Sequence, residues 1–508
     1  MRSWWQEAVI YQIYPRSFAD SNGDGIGDLQ GILDHLDYLE WLGVDCLWLT
    51  PIYPSPMADF SYDVSNYTDV WPLFGDLALF DELVAQVHER HMRIVLDWVP
   101  NHTSSEHPWF QDARSSRDSA FRDFYVWKDS APDGGPPNNW VRSWVNEPAW
   151  TFDQQTQQWY LHCFLPEQPD LNWANPAVRT AMADTLCFWL DRGVDGFRMD
   201  VIHLLAKDPE FGDDPEDLKV LSHVVLNHRE EIHPILREIR SVVKSYENDP
   251  VMVGEVYLID ASLVASYHGN GDELDLAFNF EPMFRPFTAE AWREIIDRVI
   301  EHFDARQAWP TWVLNNHDAP RSVTRFRSLE RARAAAVMVC TLRGTPFLFQ
   351  GEELGLENAA LEGGEVIDPG FRDGARAPIP WKSAAPHGWP NGAWMQFPPD
   401  GETKAVEVQR QDPTSTLSIY RALLQLRREH KALRRGSFSW LESPEGVLSW
   451  QRREEEQLVE VHLNFTRDVV AVEARGEVLL STGRDHAEVF DGSLRAYEAI
   501  VMRPTTAP

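Results

Sequence analysis

A chain of 508 residues exceeds the roughly 250–300 at which a single core stops growing, so one large domain with an insertion or appendage is expected. Its 43% apolar and 12% aromatic content, with 22 Trp, excludes a disordered chain. Against 46 basic residues stand 79 acidic ones, and the net charge of −33 sets up a field that repels nucleic acid and anionic membrane surfaces and disfavours phosphorylated substrates.

Met1-Arg2-Ser3-Trp4-Trp5-Gln6-Glu7 meets charge almost at once, and no apolar run approaches the roughly 18 residues of a membrane span. A cytoplasmic protein without a membrane anchor is expected, as a monomer or homodimer. Cys46, Cys163, Cys187 and Cys340 are scattered without paired spacing, which reads as buried thiols and not as a disulfide framework or a zinc site.

Short apolar runs at 8–14, 46–50, 93–99, 196–201, 251–256, 274–280, 312–315 and 346–349 predict strands. Helical periodicity lies between them, as at 28–42 (Leu29, Ile32, Leu33, Leu36, Leu39, Leu42), 76–90 and 176–191. Repeated βα units of this kind are expected to close a (β/α)8 barrel. An open doubly wound sheet is the alternative, but no Gly-x-Gly-x-x-Gly turn follows the first strand to favour it. The third and fourth strands are separated by an abnormally long stretch that includes the Pro/Gly/Asn-rich 131–139, so a loop-rich subdomain is expected at 102–171. The barrel then comprises 1–101 and 172–433, with an irregular Pro/Gly-rich excursion at about 355–392. Short alternating segments at 446–452, 457–465 and 470–480 predict a C-terminal antiparallel β-domain over 434–508.

Catalytic groups in such barrels sit at the C-terminal ends of the strands. Strand three ends Asp97-Trp98-Val99-Pro100-Asn101-His102, strand four reads Gly196-Phe197-Arg198-Met199-Asp200, strand five ends Gly254-Glu255 and strand seven ends Asn315-Asn316-His317-Asp318. Any one of these polar residues could be a solvated loop group or a barrel ion pair. Together they put several charges in one cavity, which is costly unless function requires it. Period-two alternation places Arg198 and Asp200 on one side of their strand, where the cation is expected to keep Asp200 ionised. Glu255, with few charges near it in sequence, is the carboxyl expected to carry a raised pKa. Paired carboxyls at neighbouring strand ends suit retaining glycoside hydrolysis, in which one attacks and the other protonates the leaving oxygen.

In order, these four segments resemble the short motifs of the α-amylase family of glycoside hydrolases, specifically its α-glucosidase and oligo-1,6-glucosidase branch, and the likeness covers nearly the whole chain. The resemblance implies Asp200 as nucleophile, Glu255 as general acid/base and Asp318 as transition-state stabiliser, with His102, Arg198 and His317 as their hydrogen-bonding shell. Asp59-Phe60-Ser61-Tyr62-Asp63 and Arg372-Asp373-Gly374-Ala375-Arg376 resemble the exo-acting members. There Asp59 and Arg376 would hold the terminal glucose and Tyr62 would stack on it, although an Asp59–Arg376 surface ion pair is the plainer reading. Gln168-Pro169-Asp170-Leu171-Asn172 also matches this branch, with Asp170 open to a purely structural role. Val201, beside the expected nucleophile, resembles enzymes that accept α-1,6 links.

Asp20-Ser21-Asn22-Gly23-Asp24-Gly25-Ile26-Gly27-Asp28 offers oxygens from Asp20, Asn22, Asp24, the Ile26 backbone and Asp28, much as an EF-hand loop does. Position twelve is Gly31 and not Glu, so a single structural calcium or magnesium ion is expected and not a switch; an Asx/Gly turn without metal is the alternative. No organic cofactor is expected. The activity implied is release of glucose from the non-reducing end of short α-1,4 or α-1,6 glucosides such as maltose and isomaltose, with transglucosylation on the side. Three rivals remain: a sucrose isomerase or transglucosidase, whose Arg-Leu-Asp-Arg-Asp segment is not found here; an endo-acting amylase; and a non-catalytic amylase-like scaffold.

Overall fold

The computed structural model describes residues 3–218, 222–361, 367–484 and 489–505. Of the expected 355–392 excursion, 362–366 lie outside the described residues, as do the extreme ends of the first and last expected domains.

Eight parallel strands form one sheet: β1 (Ile10–Ile13), β2 (Cys46–Leu49), β3 (Arg93–Trp98), β4 (Gly196–Met199), β5 (Val251–Gly254), β6 (Leu276–Ala277), β7 (Thr311–Val313) and β8 (Thr345–Phe349). Their order is β7-β8-β1-β2-β3-β4-β5-β6, which is sequence order around a ring. Neighbouring β6 and β7 meet through Thr311, whose hydroxyl donates to the Ala277 carbonyl (2.8 Å) and accepts from the Asn279 N–H (3.3 Å). The result is the nearly closed barrel expected from the spacing of apolar runs. Its strands are buried on both faces because helices cover the outside and side chains fill the inside.

Two elements are shorter than the periodicity suggests. The expected 274–280 strand pairs only over β6, because the Asp275 carboxylate takes the Met252 N–H (2.9 Å) and Phe280 already caps a helical turn. The expected helix 28–42 is two helices, Leu29–Leu33 and Leu36–Leu42, which break where the His35 ring turns back to the Gly31 carbonyl.

Between β3 and β4 the chain builds a three-stranded antiparallel sheet from Trp127–Lys128, Trp150–Asp153 and Gln158–Leu161, over a small core of Val126, Trp140, Ala149, Trp150 and Leu161. It returns to the barrel along the helix Pro176–Leu190, which starts with an Asn175 cap and a proline in its first turn. A six-stranded antiparallel sheet follows the barrel. The expected 470–480 strand divides: Gly476–Ser481 joins this sheet, whereas Val470–Ala471 pairs with Ser493–Leu494 in a separate two-stranded ribbon, because the Ala474 N–H turns back onto the Val472 carbonyl. All four cysteines are free thiols, and no helix among the described residues is long and apolar enough to cross a membrane.

Candidate active site

Arg198 is the centre of the site. Projecting from β4 and fully buried, it donates from Nη1 to Asp97 Oδ1 (2.8 Å) and Asp200 Oδ1 (2.6 Å), and from Nη2 to Glu255 Oε2 (2.5 Å). One guanidinium therefore gathers the carboxylates that end β3, β4 and β5. Just after Asp200 the backbone kinks: Val201 is left-handed (φ 35°, ψ 45°), a conformation that costs a β-branched residue free energy. The kink aims the Val201 N–H at Glu255 Oε2 (3.1 Å) and the Ile202 N–H at the Glu255 carbonyl (3.0 Å).

This geometry changes the expected division of charge. Burial pushes the Asp200 carboxyl well up; Arg198 pulls it down, and Glu255 and Asp97 push it up again. Arg198 bonds Asp200 as expected, but the same guanidinium also gives Glu255 its own nitrogen, and Val201 adds a second donor to Glu255. The carboxyl that burial raises is Asp200.

Asp318, at the end of β7, faces them. Although burial favours its neutral form, Arg372 and Arg376 hold it well below the usual carboxylate range. Arg372 Nη1 (2.9 Å) and Arg376 Nη2 (3.0 Å) both donate to its Oδ1, while His317 Nε2 lies 3.2 Å from Oδ2. Burial drives the His317 imidazole far down, so it is neutral. Tyr62 lies flat against the His317 ring and its hydroxyl donates to Asp97 Oδ2 (3.0 Å). His102 is also neutral, lowered by burial to about 4.

The pocket wall differs from expectation. Asp59 pairs with Arg372, not Arg376, and Arg372 also grips Asp368 (2.6 Å) and lies over the Trp144 ring (4.6 Å). Arg376 is completely buried behind this wall, bound to the His317 carbonyl (2.9 Å) and Asp318. Both arginines stand in the same five-residue motif, and only the three-dimensional turn of the short helix Asp373–Arg376 separates lining from backing.

Asp59, Tyr62, His102, Asp200, Glu255, Asp318 and Arg372 line one cavity of about 210 Å³, and the insertion contributes Trp144 and Phe164. Sequence reasoning missed these two aromatics. It quoted Gln168 without a role, yet the Gln168 amide holds Asp59 Oδ2 (3.0 Å). Asp170 lies away from the cavity in a buried pair with Lys207 (2.7 Å), which is a structural arrangement.

The glycine-rich loop at 20–28 is a chain of Asx turns. Asp20 accepts from the Gly23 (2.7 Å) and Gly25 (2.9 Å) N–H groups, Asn22 from Asp24 (2.8 Å), Asp24 from Ile26 (2.8 Å), and Asp28 caps the following helix at Gly31 (2.6 Å). No three His, Cys, Asp or Glu side chains converge in a metal-like group among the described residues. Nevertheless Asp20 and Asp28 are both buried, and neither ion-pairs with a basic side chain among the described residues. Burial pushes the Asp28 carboxyl up and the Asp20 charge adds to this, so an all-oxygen, acidic donor set suits a hard cation.

Comparison with known proteins agrees with this geometry. Residues 12–436 match the family model described as alpha amylase, catalytic domain. The chain is 39% identical to a probable alpha-glucosidase of Rhizobium meliloti, over 89% of this chain and 87% of the relative, and 35% identical to an oligo-1,6-glucosidase of Halalkalibacterium halodurans over 98% of each. Its fold superposes on the crystal structure of an alpha-glucosyl transfer enzyme with a TM-score of 0.91 at 37% identity, covering 99% of this chain and 100% of the other. With a matching barrel, the acidic strand ends on one guanidinium and a family model spanning most of its length, the chain belongs to the α-amylase family.

Proposed function

We propose that this protein is a retaining, exo-acting α-glucosidase that removes single glucose units from short α-glucosides. The observation that carries the reading is the charge balance around the cavity. Six carboxyl groups (Asp59, Asp97, Asp200, Glu255, Asp318, Asp368) share three guanidiniums (Arg198, Arg372, Arg376). Such a surplus of buried negative charge is costly at rest and favourable when a sugar ring develops positive charge, as it does when a glycosidic bond breaks.

In the first step an Asp200 carboxylate oxygen bonds to the anomeric carbon while Glu255 gives its proton to the departing glycosidic oxygen. In the second, Glu255 takes a proton from water, the water oxygen bonds to the same carbon and Asp200 leaves as carboxylate. The bound state therefore needs Asp200 ionised and a proton on Glu255, where the incoming glycosidic oxygen can receive it. Asp318 accepts from ring hydroxyls. The Asp59–Arg372 wall closes the far side of the cavity, so one ring enters and the substrate is short. The oligo-1,6-glucosidase relative supports α-1,6 substrates such as isomaltose, and the transfer enzyme supports resolution of the glucosyl-enzyme by an acceptor hydroxyl as a second outcome. The loop at 20–28 holds one structural calcium or magnesium ion with no part in the chemistry. Unpaired cysteines suit a reducing cytoplasm.

Proton NMR of the sugar first released from maltose and isomaltose tests this. α-Glucose is expected, with Glu255→Gln lowering turnover by roughly 10²–10⁴-fold and Asp200→Asn abolishing it. Initial release of β-glucose, or full turnover by Asp200→Asn, overturns the reading.

A further inference from the structure

Asp97 does not reach the cavity, yet it competes for the charge the cavity depends on. Its Oδ1 takes Arg198 Nη1 (2.8 Å); its Oδ2 accepts from Tyr62 Oη (3.0 Å) and Trp48 Nε1 (3.2 Å). From Tyr62 the line continues: Tyr62 Oη lies 2.6 Å from His317 Nε2, and His317 Nδ1 lies 2.7 Å from the Gln12 amide. Every member is buried. If Asp97, Asp200 and Glu255 all ionise, three negative charges face one guanidinium in a dry site, and with only the acid/base proton the imbalance persists.

The hydrogen-bond line offers a place for a second proton because each of its members can reverse. With Asp97 charged, Gln12 donates to His317 Nδ1, His317 Nε2–H to Tyr62, and Tyr62 O–H to Asp97. With Asp97 neutral, its Oδ2–H donates to Tyr62, Tyr62 O–H to His317 Nε2, and His317 Nδ1–H to the Gln12 amide oxygen. Trp48 Nε1 donates to Oδ2 in both; the second polarity requires the Gln12 amide, whose nitrogen faces Nδ1, to turn over, and it leaves Asp318 Oδ2, 3.2 Å from His317 Nε2, to the charge of Arg372 and Arg376.

We propose that Asp97 holds a proton in the resting site, at Oδ2 and towards Tyr62, so that the charge of Arg198 is left to Asp200 and Glu255. Asp97 is then a positioning residue: it sets how strongly Arg198 stabilises the attacking carboxylate without touching substrate. The groups facing Asp97 agree. Among the described residues Arg198 is the one cation that bonds it; Glu255 and Asp200 add negative charge; Tyr62, His317 and Tyr53, whose hydroxyl donates to the Asp97 carbonyl (2.6 Å), are neutral. Burial, outweighing Arg198 and the Tyr62 hydrogen bond, pushes the carboxyl up to about 7. The inference rests on the acid/base reading of the pair, but its test needs no turnover.

Neutron diffraction of deuterium-exchanged crystals at mildly acid pH is expected to place deuterium on Asp97 Oδ2 and His317 Nδ1. Deuterium on His317 Nε2 with none on Asp97 overturns the proposal. Infrared titration gives a second readout: the protonated-carboxyl absorption that grows as pH falls through about 7 is expected to be smaller by one carboxyl in Asp97→Asn, the remainder coming from other raised groups such as Glu352. Identical bands in both proteins overturn it. Loss of glucose release with these signals intact would count against the enzymatic reading alone.

Discussion

Asp59 and Arg372, 313 positions apart in the chain, form a buried ion pair that closes the cavity, while the neighbouring Arg376 binds the same network from behind. Removing one partner of a buried pair leaves the other uncompensated, at a cost of about 3–5 kcal/mol. Arg372→Ala and Asp59→Ala are each expected to reduce kcat/KM for short glucosides by roughly 10²–10³-fold. Their double variant should be little worse than either alone, because the pair acts as a unit. Arg376→Ala, which acts on Asp59 through charge and not through a direct bond, should couple to Asp59→Ala more weakly than Arg372→Ala does. A double-mutant cycle in which Asp59 couples to Arg376 more strongly than to Arg372 contradicts this assignment of the wall.

A second test concerns the turn that follows β8. Glu352 is buried, accepts from the Tyr420 hydroxyl (2.9 Å), and is raised to about 8 chiefly by burial. An unfolded glutamate titrates near about 4.3. Between those values the folded chain retains a proton that the unfolded chain has released, so stability falls as pH rises across that window and levels off above it. The contribution is on the order of a few kcal/mol, and Glu352→Gln should remove it. Chemical denaturation of both proteins from mildly acid to mildly alkaline pH reads the difference; parallel curves would show that Glu352 is charged in the fold.

The cation loop gives a third. Asp20 and Asp28 repel each other in a buried turn, and a bound calcium or magnesium ion offsets that repulsion in the folded state only. Adding calcium to chelator-stripped protein should raise the melting temperature, and Asp20→Asn should abolish the increment. Melting curves that superpose with and without metal leave the loop as a set of Asx turns.

How far the sequence carried these conclusions differs by element. Apolar runs ending in an acid located β3, β4, β5 and β7 and named Asp97, Asp200, Glu255 and Asp318, because strand period and barrel polarity are local rules. The pairing of Arg198 with Asp200 followed from alternation. That Arg198 would also bond Glu255 did not, since its reach across β5 depends on barrel curvature. Arg372 and Arg376 are four residues apart in one motif, and nothing local says which faces the cavity. Trp144 and Phe164 enter from the insertion, whose docking no periodicity encodes. The proton balance was illegible for the same reason: it is a property of six carboxyls assembled from distant segments.

The last prediction concerns linkage. Val201 lines the cavity, and its backbone N–H bonds Glu255, the proposed proton donor to the leaving oxygen. An α-1,6 link brings an extra methylene past this point, and an apolar wall favours it by about 1–3 kcal/mol, the worth of one methylene in a pocket. Val201→Thr keeps the branched shape and the left-handed backbone but sets a hydroxyl in the wall. Its ratio of isomaltose to maltose kcat/KM should drop by roughly 10-fold or more. Val201→Gly relieves the φ of 35° and so separates the two roles of this residue. If the kink matters chiefly for aiming N–H groups at Glu255, the glycine variant, which adopts the same backbone without strain, keeps its turnover and loses only the apolar wall, so its disaccharide ratio changes as in the threonine variant. An unaltered protein that cleaves maltose and ignores isomaltose rules out the linkage role of Val201.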